Sequence, residues 1–239
     1  MLSKNQIKFI TCLKQKKYRM QHGFFVVEGV KTIQELLQSK FVLHALYTTE
    51  SFNIDAKDEI LISETELKRI SFLTTPNKAL AVFRIPEPKS INRKGLIVAL
   101  DAIRDPGNLG TIIRLCDWFG VTDLVCSKAT VDCFNPKVIQ ATMGSIARVN
   151  INYVDLVDFL NEVTLPVFGA FMDGETVYTK KLLKEGVLVM GNEANGVSKE
   201  VEAIITEKIS IPRFGNLQAT ESLNVATATA IFLSEFRRS

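Results

Sequence analysis

The feature that most constrains this chain is a repeated alternation of short apolar runs and helix-spaced segments that begins near residue 95. Runs such as LIVAL, DLVCS and VLVMG are each followed by a stretch in which apolar residues recur every three or four positions. Buried strands that alternate with helices are typical of a mostly parallel sheet covered by helices on both faces. We therefore predict an α/β fold for this part of the chain.

A shorter alternation of the same kind precedes residue 86. Residues 5–16 predict a helix, FFVVEG predicts a strand, and further short strands and helices follow up to ALAVFRI at 79–85. The stretch IPEPKSINRK then combines two prolines with mixed charge and has no periodicity, which is typical of a linker. The sequence thus predicts a small N-terminal α/β domain at 1–86, a linker at 87–94 and a parallel-sheet domain at 95–239.

Composition excludes several classes of protein. No apolar run approaches the ~18 residues of a membrane span, and Lys, Asn and Gln interrupt the first twenty residues too often for a secretory signal. We therefore expect a cytoplasmic protein. The four cysteines form no CxxC pair and have no histidine nearby, so we expect neither a disulfide framework nor a metal site.

Charge is distributed unevenly along the chain. Eight Lys or Arg against two Glu give residues 1–40 a net charge of +6, which leaves −3 for the rest of a chain whose total is +3. Clustered cations that neutralise phosphates gain affinity through counterion release, so we predict a polyanion partner at the N-terminal end, with Lys14, Lys16, Lys17 and Arg19 as the candidate contacts. The alternative is an ordinary solvated helix face.

Three loops are expected to carry the chemistry, because ligands of parallel sheets bind outside the carboxyl ends of the strands. These loops are 102–110, 191–198 and 212–222. The first lacks both the GxGxxG and the GK[ST] signatures of nucleotide-binding loops. It offers Asn108 and, one turn into the following helix, Arg114, which lies outside the apolar stripe and can bind a phosphate. The alternative for Arg114 is a surface ion pair with Asp117.

The other two loops supply an acid and two small polar residues. Glu193 lies in GNEANGVS and is either a functional carboxylate or a solvated loop acid. Ser222 and Asn224 stand where the last helix is predicted to begin; capping explains Ser222, but it does not explain Asn224. The only histidines are His22 and His44, both before the linker, so a Ser-His-Asp site is excluded from the C-terminal domain.

The three loops together resemble a known family. DPGNLGTIIR, LVMGNEANGVS and ISIP…ESLNVATATAIFL, in this order, are similar to the three motifs of the SpoU (TrmH-like) RNA ribose 2′-O-methyltransferases of the SPOUT superfamily. The resemblance implies a trefoil-knotted parallel sheet, S-adenosylmethionine as the cofactor and a homodimer. The N-terminal residues are similar to the substrate-binding domain that precedes the catalytic domain in many of these enzymes, which implies that Lys14, Lys16, Lys17 and Arg19 contact RNA.

The resemblance also implies roles for individual residues. The implied catalytic set is Asn108, Arg114, Glu193, Ser222 and Asn224; the implied cofactor-binding set is Gly191, Asn192, Ile211 and Leu223. The chain departs from the pattern in RFGNLQATE at 213–221, which is longer than the corresponding loop of many relatives.

The implied activity is methyl transfer to a ribose 2′-hydroxyl of structured RNA, with ribosomal RNA expected over transfer RNA because the chain has two domains. Three alternatives stay open: a transfer RNA 2′-O-methyltransferase, an RNA-binding dimer without catalysis, and a Rossmann oxidoreductase. The last predicts a glycine fingerprint and an acidic residue after the second strand, where this chain has Ser127 and Lys128.

Overall fold

The computed structural model describes residues 1–54, 57–215 and 222–238. Contacts divide the chain into two compact units: Met1–Glu87 with Asp132–Ala147, and Pro88–Val131 with Arg148–Ser239. The pattern at 86–94 predicts where the first long segment ends. It gives no sign that residues 132–147 group with the N-terminal unit.

The secondary structure follows the predicted alternation. In chain order the elements are α1 (Lys4–Cys12), α2 (Lys16–His22), β1 (Phe24–Glu28), α3 (Val30–Leu37), β2 (Leu43–Thr48), β3 (Glu59–Leu61), α4 (Glu64–Ile70), β4 (Ala79–Arg84), β5 (Leu96–Leu100), α5 (Pro106–Trp118), β6 (Asp123–Ser127), α6 (Pro136–Thr142), β7 (Asn150–Val154), α7 (Leu156–Asn161), β8 (Val167–Thr176), β9 (Gly186–Met190), α8 (Lys199–Glu202), β10 (Glu207–Ser210) and α9 (Val225–Arg238). A 3-10 turn at Ser145–Ala147 follows α6.

The N-terminal unit contains a four-stranded mixed sheet. Its order is β1-β4-β2-β3, in which β4 pairs antiparallel with β1 and β2, and β2 pairs parallel with β3. The prediction of a single helix at 5–16 is wrong, because α1 ends at Cys12 and a second helix, α2, begins at Lys16. Ser3 caps α1 through a capping box with Gln6, and Gly23 ends α2 in the left-handed conformation at φ 71°.

A buried ion pair joins the two segments of the N-terminal unit. The Arg19 guanidinium donates to Asp132 Oδ2 from Nε at 3.0 Å and from Nη2 at 2.5 Å. Its Nη1 donates to the carbonyls of Leu13 and Lys14, both at 2.8 Å. Arg19 is only 1% exposed, so these bonds satisfy a charge that is almost fully removed from water.

The second unit is the predicted parallel sheet. Its order is β10-β8-β9-β5-β6-β7, and every neighbouring pair is parallel. The prediction of an α/β fold is therefore confirmed, whereas the trefoil knot stays a prediction.

Helices cover both faces of this sheet, because side chains alternate between the two faces along a strand. Val167 of β8 packs with Phe159 of α7 and Val201 of α8 in one apolar cluster. The next residue, Phe168, contacts Phe236 of α9 edge to face, with ring centroids 5.1 Å apart. Helices α7 and α8 therefore lie on one face, and α9 lies on the other together with α5, which packs against it.

The strand order reverses between β5 and β9. The chain proceeds from β5 outward through β6 to β7, whereas β9 and the remaining strands lie on the other side of β5. Leu100 and Met190 are register partners at the carboxyl ends of β5 and β9, so the loops that follow these strands leave the sheet side by side. Such a reversal is where open α/β sheets bind ligands.

Candidate functional site

A cleft of about 780 Å³ opens at this edge of the C-terminal sheet. All four residues of the implied cofactor set line it: Gly191, Asn192, Ile211 and Leu223. The remaining lining residues come from β8, the end of β9 and the loop after it, the loop after β10 and the first half of α9; they are Ala170, Phe171, Met172, Met190, Glu193, Ala194, Gly196, Pro212, Arg213, Phe214, Gly215, Ser222, Val225, Ala228 and Phe232.

The loop after β9 is held in a tight turn. Gly191 lies so close to the returning chain that an added Cβ would be 2.4 Å from the carbonyl carbon of Gly196. Asn192 and Gly196 exchange backbone hydrogen bonds of 2.8 Å in both directions. The Asn192 side chain also donates to the Ala102 carbonyl at 2.6 Å, which fastens this loop to the loop after β5. Hydrogen bonds within this loop and to the loop after β5 therefore hold the backbone that lines the cleft.

The loop after β5 is organised by two aspartates that the sequence analysis did not single out. Asp105 caps α5 by accepting from the Asn108 N–H at 2.8 Å, and Pro106 occupies the first turn. Asp101 is buried and accepts from the Ser198 N–H at 2.8 Å. An aspartate directly after an apolar run that predicts a buried strand, LIVAL, is the signal by which Asp101 could have been found. Asp105 therefore fixes the start of α5, and Asp101 holds the end of the second loop, where α8 begins.

Three of the five predicted catalytic residues form one chain of hydrogen bonds. Asn108 Nδ2 donates to Glu193 Oε1 at 2.7 Å, and Asn224 Nδ2 donates to Asn108 Oδ1 at 2.9 Å. A carboxylate only accepts, so Glu193 fixes the amide of Asn108 with its NH₂ towards Glu193 and its oxygen towards Asn224. Each residue comes from a different motif loop. The structure thus brings together Glu193, Asn108 and Asn224, which we call the polar chain.

Asn224 also caps the last helix, which corrects the sequence analysis. Its Oδ1 accepts from the N–H groups of Ala226 at 3.0 Å and Thr227 at 3.2 Å, and α9 begins at Val225. The expectation that capping would explain Ser222 and leave Asn224 unexplained is therefore wrong. Ser222 lies before the helix, exposed, and lines the cleft.

Arg114 lies on the exposed side of α5, opposite the buried Ile112, Ile113 and Cys116. Within the described part of the chain it makes no hydrogen bond or ion pair. Its alternative partner, Asp117, binds the Arg148 guanidinium at 2.9 Å instead. The structure leaves the Arg114 guanidinium available to a ligand.

The predicted RNA-binding residues of the N-terminal unit do not share one environment. Lys14, Lys16 and Lys17 are exposed. Arg19 is buried and bound to Asp132, so it stabilises the unit and cannot present its charge to RNA. This assignment corrects the grouping of Arg19 with the lysines.

Phe214 is a lining residue that the sequence analysis missed. It is 82% exposed and its ring centroid lies 6.4 Å from that of Tyr178. Phe214 belongs to the long loop 213–221, of which residues 216–221 lie outside the described residues. The presence of an aromatic residue in a loop of unusual length was the available signal.

Residues 1–54, 57–215 and 222–238 contain neither a membrane-spanning helix nor a group of metal ligands. None of the helices found there is long and apolar enough to cross a bilayer. No group of three or more His, Cys, Asp or Glu residues in the same parts of the chain is arranged to hold a metal ion.

Comparison with known proteins gave matches over both parts of the chain. Residues 95–234 match the SpoU rRNA Methylase family, and residues 4–81 match the MRM3-like substrate binding domain. The chain is 30% identical over 245 residues to the 23S rRNA (guanosine(2553)-2′-O)-methyltransferase RlmP of Bacillus subtilis, an alignment that covers 98% of this chain and 97% of that protein. It is 35% identical to the tRNA (guanosine(18)-2′-O)-methyltransferase of Aquifex aeolicus over 65% of this chain and 74% of that protein.

Solved structures show the same likeness. An RNA methyltransferase of the TrmH family from Porphyromonas gingivalis, itself described as putative in function, aligns with a TM-score of 0.90 at 40% identity and covers 100% of this chain and 99% of its own. The AdoMet-bound rRNA methyltransferase from Sinorhizobium meliloti aligns with a TM-score of 0.89 at 30% identity and covers 100% of this chain and 96% of its own.

Proposed function

Because the chain belongs to the SpoU rRNA methylase family, we propose that it transfers a methyl group from S-adenosylmethionine to a ribose 2′-hydroxyl of ribosomal RNA. As a member of this family, the chain is an RNA 2′-O-ribose methyltransferase with S-adenosylmethionine as its methyl donor. For this protein, the observation that supports the proposal is the polar chain, whose hydrogen bonds join the three motif loops beside the cleft.

The cleft fits the cofactor in size and in chemistry. Its volume of about 780 Å³ lies within the ~300–1,000 Å³ of small-molecule sites. Ile211 and Leu223 offer apolar contact to an adenine ring, and the backbone around Gly191 offers hydrogen bonds at close range. The bound cofactor supplies an electrophilic methyl group on a sulfonium.

The protein's own residues must orient the ribose and stabilise its 2′-oxygen while the hydroxyl proton is lost to solvent water. Holding the two reactants in line contributes up to about 7–11 kcal/mol. We assign Arg114 to the 2′-hydroxyl and the adjacent phosphate, because its side chain is exposed and a guanidinium can bind a phosphate through two parallel hydrogen bonds. A guanidinium stays protonated at neutral pH, so Arg114 does not take the hydroxyl proton itself and instead stabilises the developing alkoxide electrostatically. Ser222 and the polar chain would orient the ribose.

Ribosomal RNA is favoured over transfer RNA by the extent of the alignments. The 23S rRNA enzyme aligns with 98% of the chain, whereas the tRNA enzyme aligns with 65%. A transfer RNA target is the second candidate. Mapping ribose methylation in total RNA from a deletion strain and its parent distinguishes them: we expect one 2′-O-methyl mark to disappear from ribosomal RNA. Disappearance from transfer RNA alone would select the second candidate.

We further propose a cytoplasmic homodimer. Trp118 is 85% exposed at the end of α5, one turn beyond Arg114, and a second copy of the chain could bury this large side chain beside the site. Sedimentation of the wild type should give twice the chain mass, and Trp118→Glu should shift the protein towards the monomer. A wild type that sediments as a monomer at micromolar concentration would contradict the dimer.

A further inference from the structure

Five aromatic rings lie in contact on the N-terminal unit, and we call them the ring surface: Phe9, Tyr18, His22, Phe24 and His44. Phe9 is at the centre, with ring centroids 5.5 Å from His22, 5.8 Å from Phe24 and 6.0 Å from His44. Tyr18 stacks on His22 at 6.4 Å with an interplanar angle of 17°, and Phe24 contacts His44 at 4.4 Å. The rings thus form one continuous surface contributed by α1, α2, β1 and β2.

The ring surface packs against the core of the N-terminal unit on one side and is exposed to solvent on the other. Phe9 and Phe24 are half-buried and pack against the core cluster of this unit, which includes Ile10, Leu13 and Val26. His22 and His44 are exposed. Rings held by a packed core lose little conformational entropy when a ligand binds, so the surface is prepared for planar partners.

Cations lie at both ends of the ring surface. Lys17 Nζ is 5.9 Å from the Tyr18 ring centroid, and the Arg84 guanidinium is 5.4 Å from that of Phe24. Lys14 and Lys16 are exposed on and beside the same helix as Tyr18. The neighbourhood therefore combines exposed and partly exposed aromatic rings with positive charge, which is complementary to a base attached to a phosphate backbone.

We propose that the ring surface stacks unpaired nucleobases of the RNA substrate, with Lys17 and Arg84 at the flanking phosphates. The proposal rests on the proposed function, since it names how the RNA of that reaction is held. It commits the substrate to a loop, bulge or single strand near the N-terminal unit, because paired bases in an A-form helix present no free faces to side chains.

The state of His44 agrees with stacking. Burial lowers the pKa of His44 below its ordinary value and the charge of Arg84 lowers it further, while Asp58 opposes the shift. A neutral imidazole is a planar ring that adds no charge of its own. Affinity gained through His44 should therefore be independent of salt.

The test uses the full chain and two double variants. His22→Ala/His44→Ala removes the two exposed rings, and His22→Phe/His44→Phe keeps rings at both positions. The probe is a fluorescein-labelled single-stranded RNA of about 12 nucleotides, compared with the same sequence in a duplex. Fluorescence anisotropy gives both affinities over a series of salt concentrations.

We expect the alanine variant to bind the single strand at least about fivefold more weakly, with duplex binding and the slope of log affinity against log salt unchanged. The phenylalanine variant should retain the wild-type affinity for the single strand. The proposal would be overturned if the alanine variant bound the single strand with the wild-type affinity, or if its affinity for the single strand and for the duplex fell equally. The first of these results would indicate that the ring surface binds a protein partner instead.

A separate readout keeps this inference distinct from the proposed function. Methyl transfer to ribosomal RNA by the alanine variant should show a raised KM and an unchanged kcat. If the wild type methylates no RNA, the proposed function fails. If the wild type methylates ribosomal RNA and the alanine variant has the same KM, only the ring surface is excluded.

Discussion

The interior of the N-terminal unit and the edge of the C-terminal sheet use arginine in opposite ways. Arg19 is buried, and each of its three guanidinium nitrogens donates to Asp132 or to a backbone carbonyl. Arg114 is exposed and, among the residues that the structure describes, has no protein partner. Both residues sit in helices and both were candidates for phosphate contact. The comparison teaches that the partners of an arginine indicate whether it stabilises the fold or binds a ligand. Its position in a basic segment or in a motif does not.

The two environments also differ in what a substitution should change. A buried charge whose partner is removed is left unpaired in a medium of low dielectric constant, so folding is destabilised. An exposed charge without a partner contributes little to folding. Substitutions should therefore separate stability in one region from turnover in the other.

The largest expected effect is on stability. Asp132→Ala leaves the Arg19 guanidinium unpaired and should lower the free energy of unfolding by about 3–5 kcal/mol. Chemical denaturation monitored by circular dichroism measures this change in the free energy of unfolding. The matched control is Glu162→Ala, which breaks the exposed pair with Arg93 and should change stability by about 1 kcal/mol or less. Equal effects of the two substitutions would remove the contrast between buried and exposed pairs.

The next effect is on turnover. Arg114→Ala should leave less than a tenth of the wild-type rate, which corresponds to about 1.4 kcal/mol or more of transition-state stabilisation, with the stability of the fold unchanged. Calorimetry should give nearly the wild-type affinity for S-adenosylmethionine. Arg114→Lys keeps the charge and removes the planar fork, so it should remain impaired. A variant with alanine at this position that retains more than a tenth of the wild-type rate would contradict the assignment.

A smaller effect separates the two roles of Asn224, the cap of α9 and the hydrogen bond to Asn108. Asn224→Ala removes the helix cap and the bond to Asn108, and should cost about 1 kcal/mol of stability as well as turnover. Asn224→Asp keeps a capping oxygen and removes the donor to Asn108, so stability should stay near wild type while turnover falls. Unchanged turnover in the aspartate variant would show that the polar chain serves packing alone.

The smallest effect concerns the basic surface. Lys14→Glu, Lys16→Glu and Lys17→Glu together should flatten the slope of log affinity against log salt for RNA, because fewer counterions are released. Arg19 is left unchanged in this variant, since it is buried. A slope equal to that of the wild type would refute a contact between these lysines and RNA phosphates.

Local pattern predicted much of the fold. Strand and helix periodicity identified the parallel sheet, and the order of the motif loops indicated which end of the sheet to examine. The break in the first helix was missed, because residues 13–15 contain no glycine or proline. The grouping of residues 132–147 with the N-terminal unit was missed because the bond from Arg19 to Asp132 spans 113 residues and has no local signal.

The candidate site was less predictable than the fold. Residue type and spacing identified Asn108, Glu193 and Asn224 as candidates, but hydrogen bonds across 85 and 116 residues decide that they form one chain. The capping by Asn224 depended on where α9 begins, and element boundaries are the weakest part of any reading from sequence. Phe214 was missed because an exposed aromatic residue in a loop has no periodicity to reveal it.

The most direct test of the account is methyl transfer in vitro. Purified protein is incubated with ribosomal RNA and S-adenosylmethionine that carries a labelled methyl group, and the product is digested with alkali, which does not cleave next to a 2′-O-methylated ribose. We predict that the label remains in an alkali-resistant dinucleotide from one position, and that Arg114→Ala abolishes it. Label on a base, or no incorporation by a protein that binds the cofactor, would contradict the account.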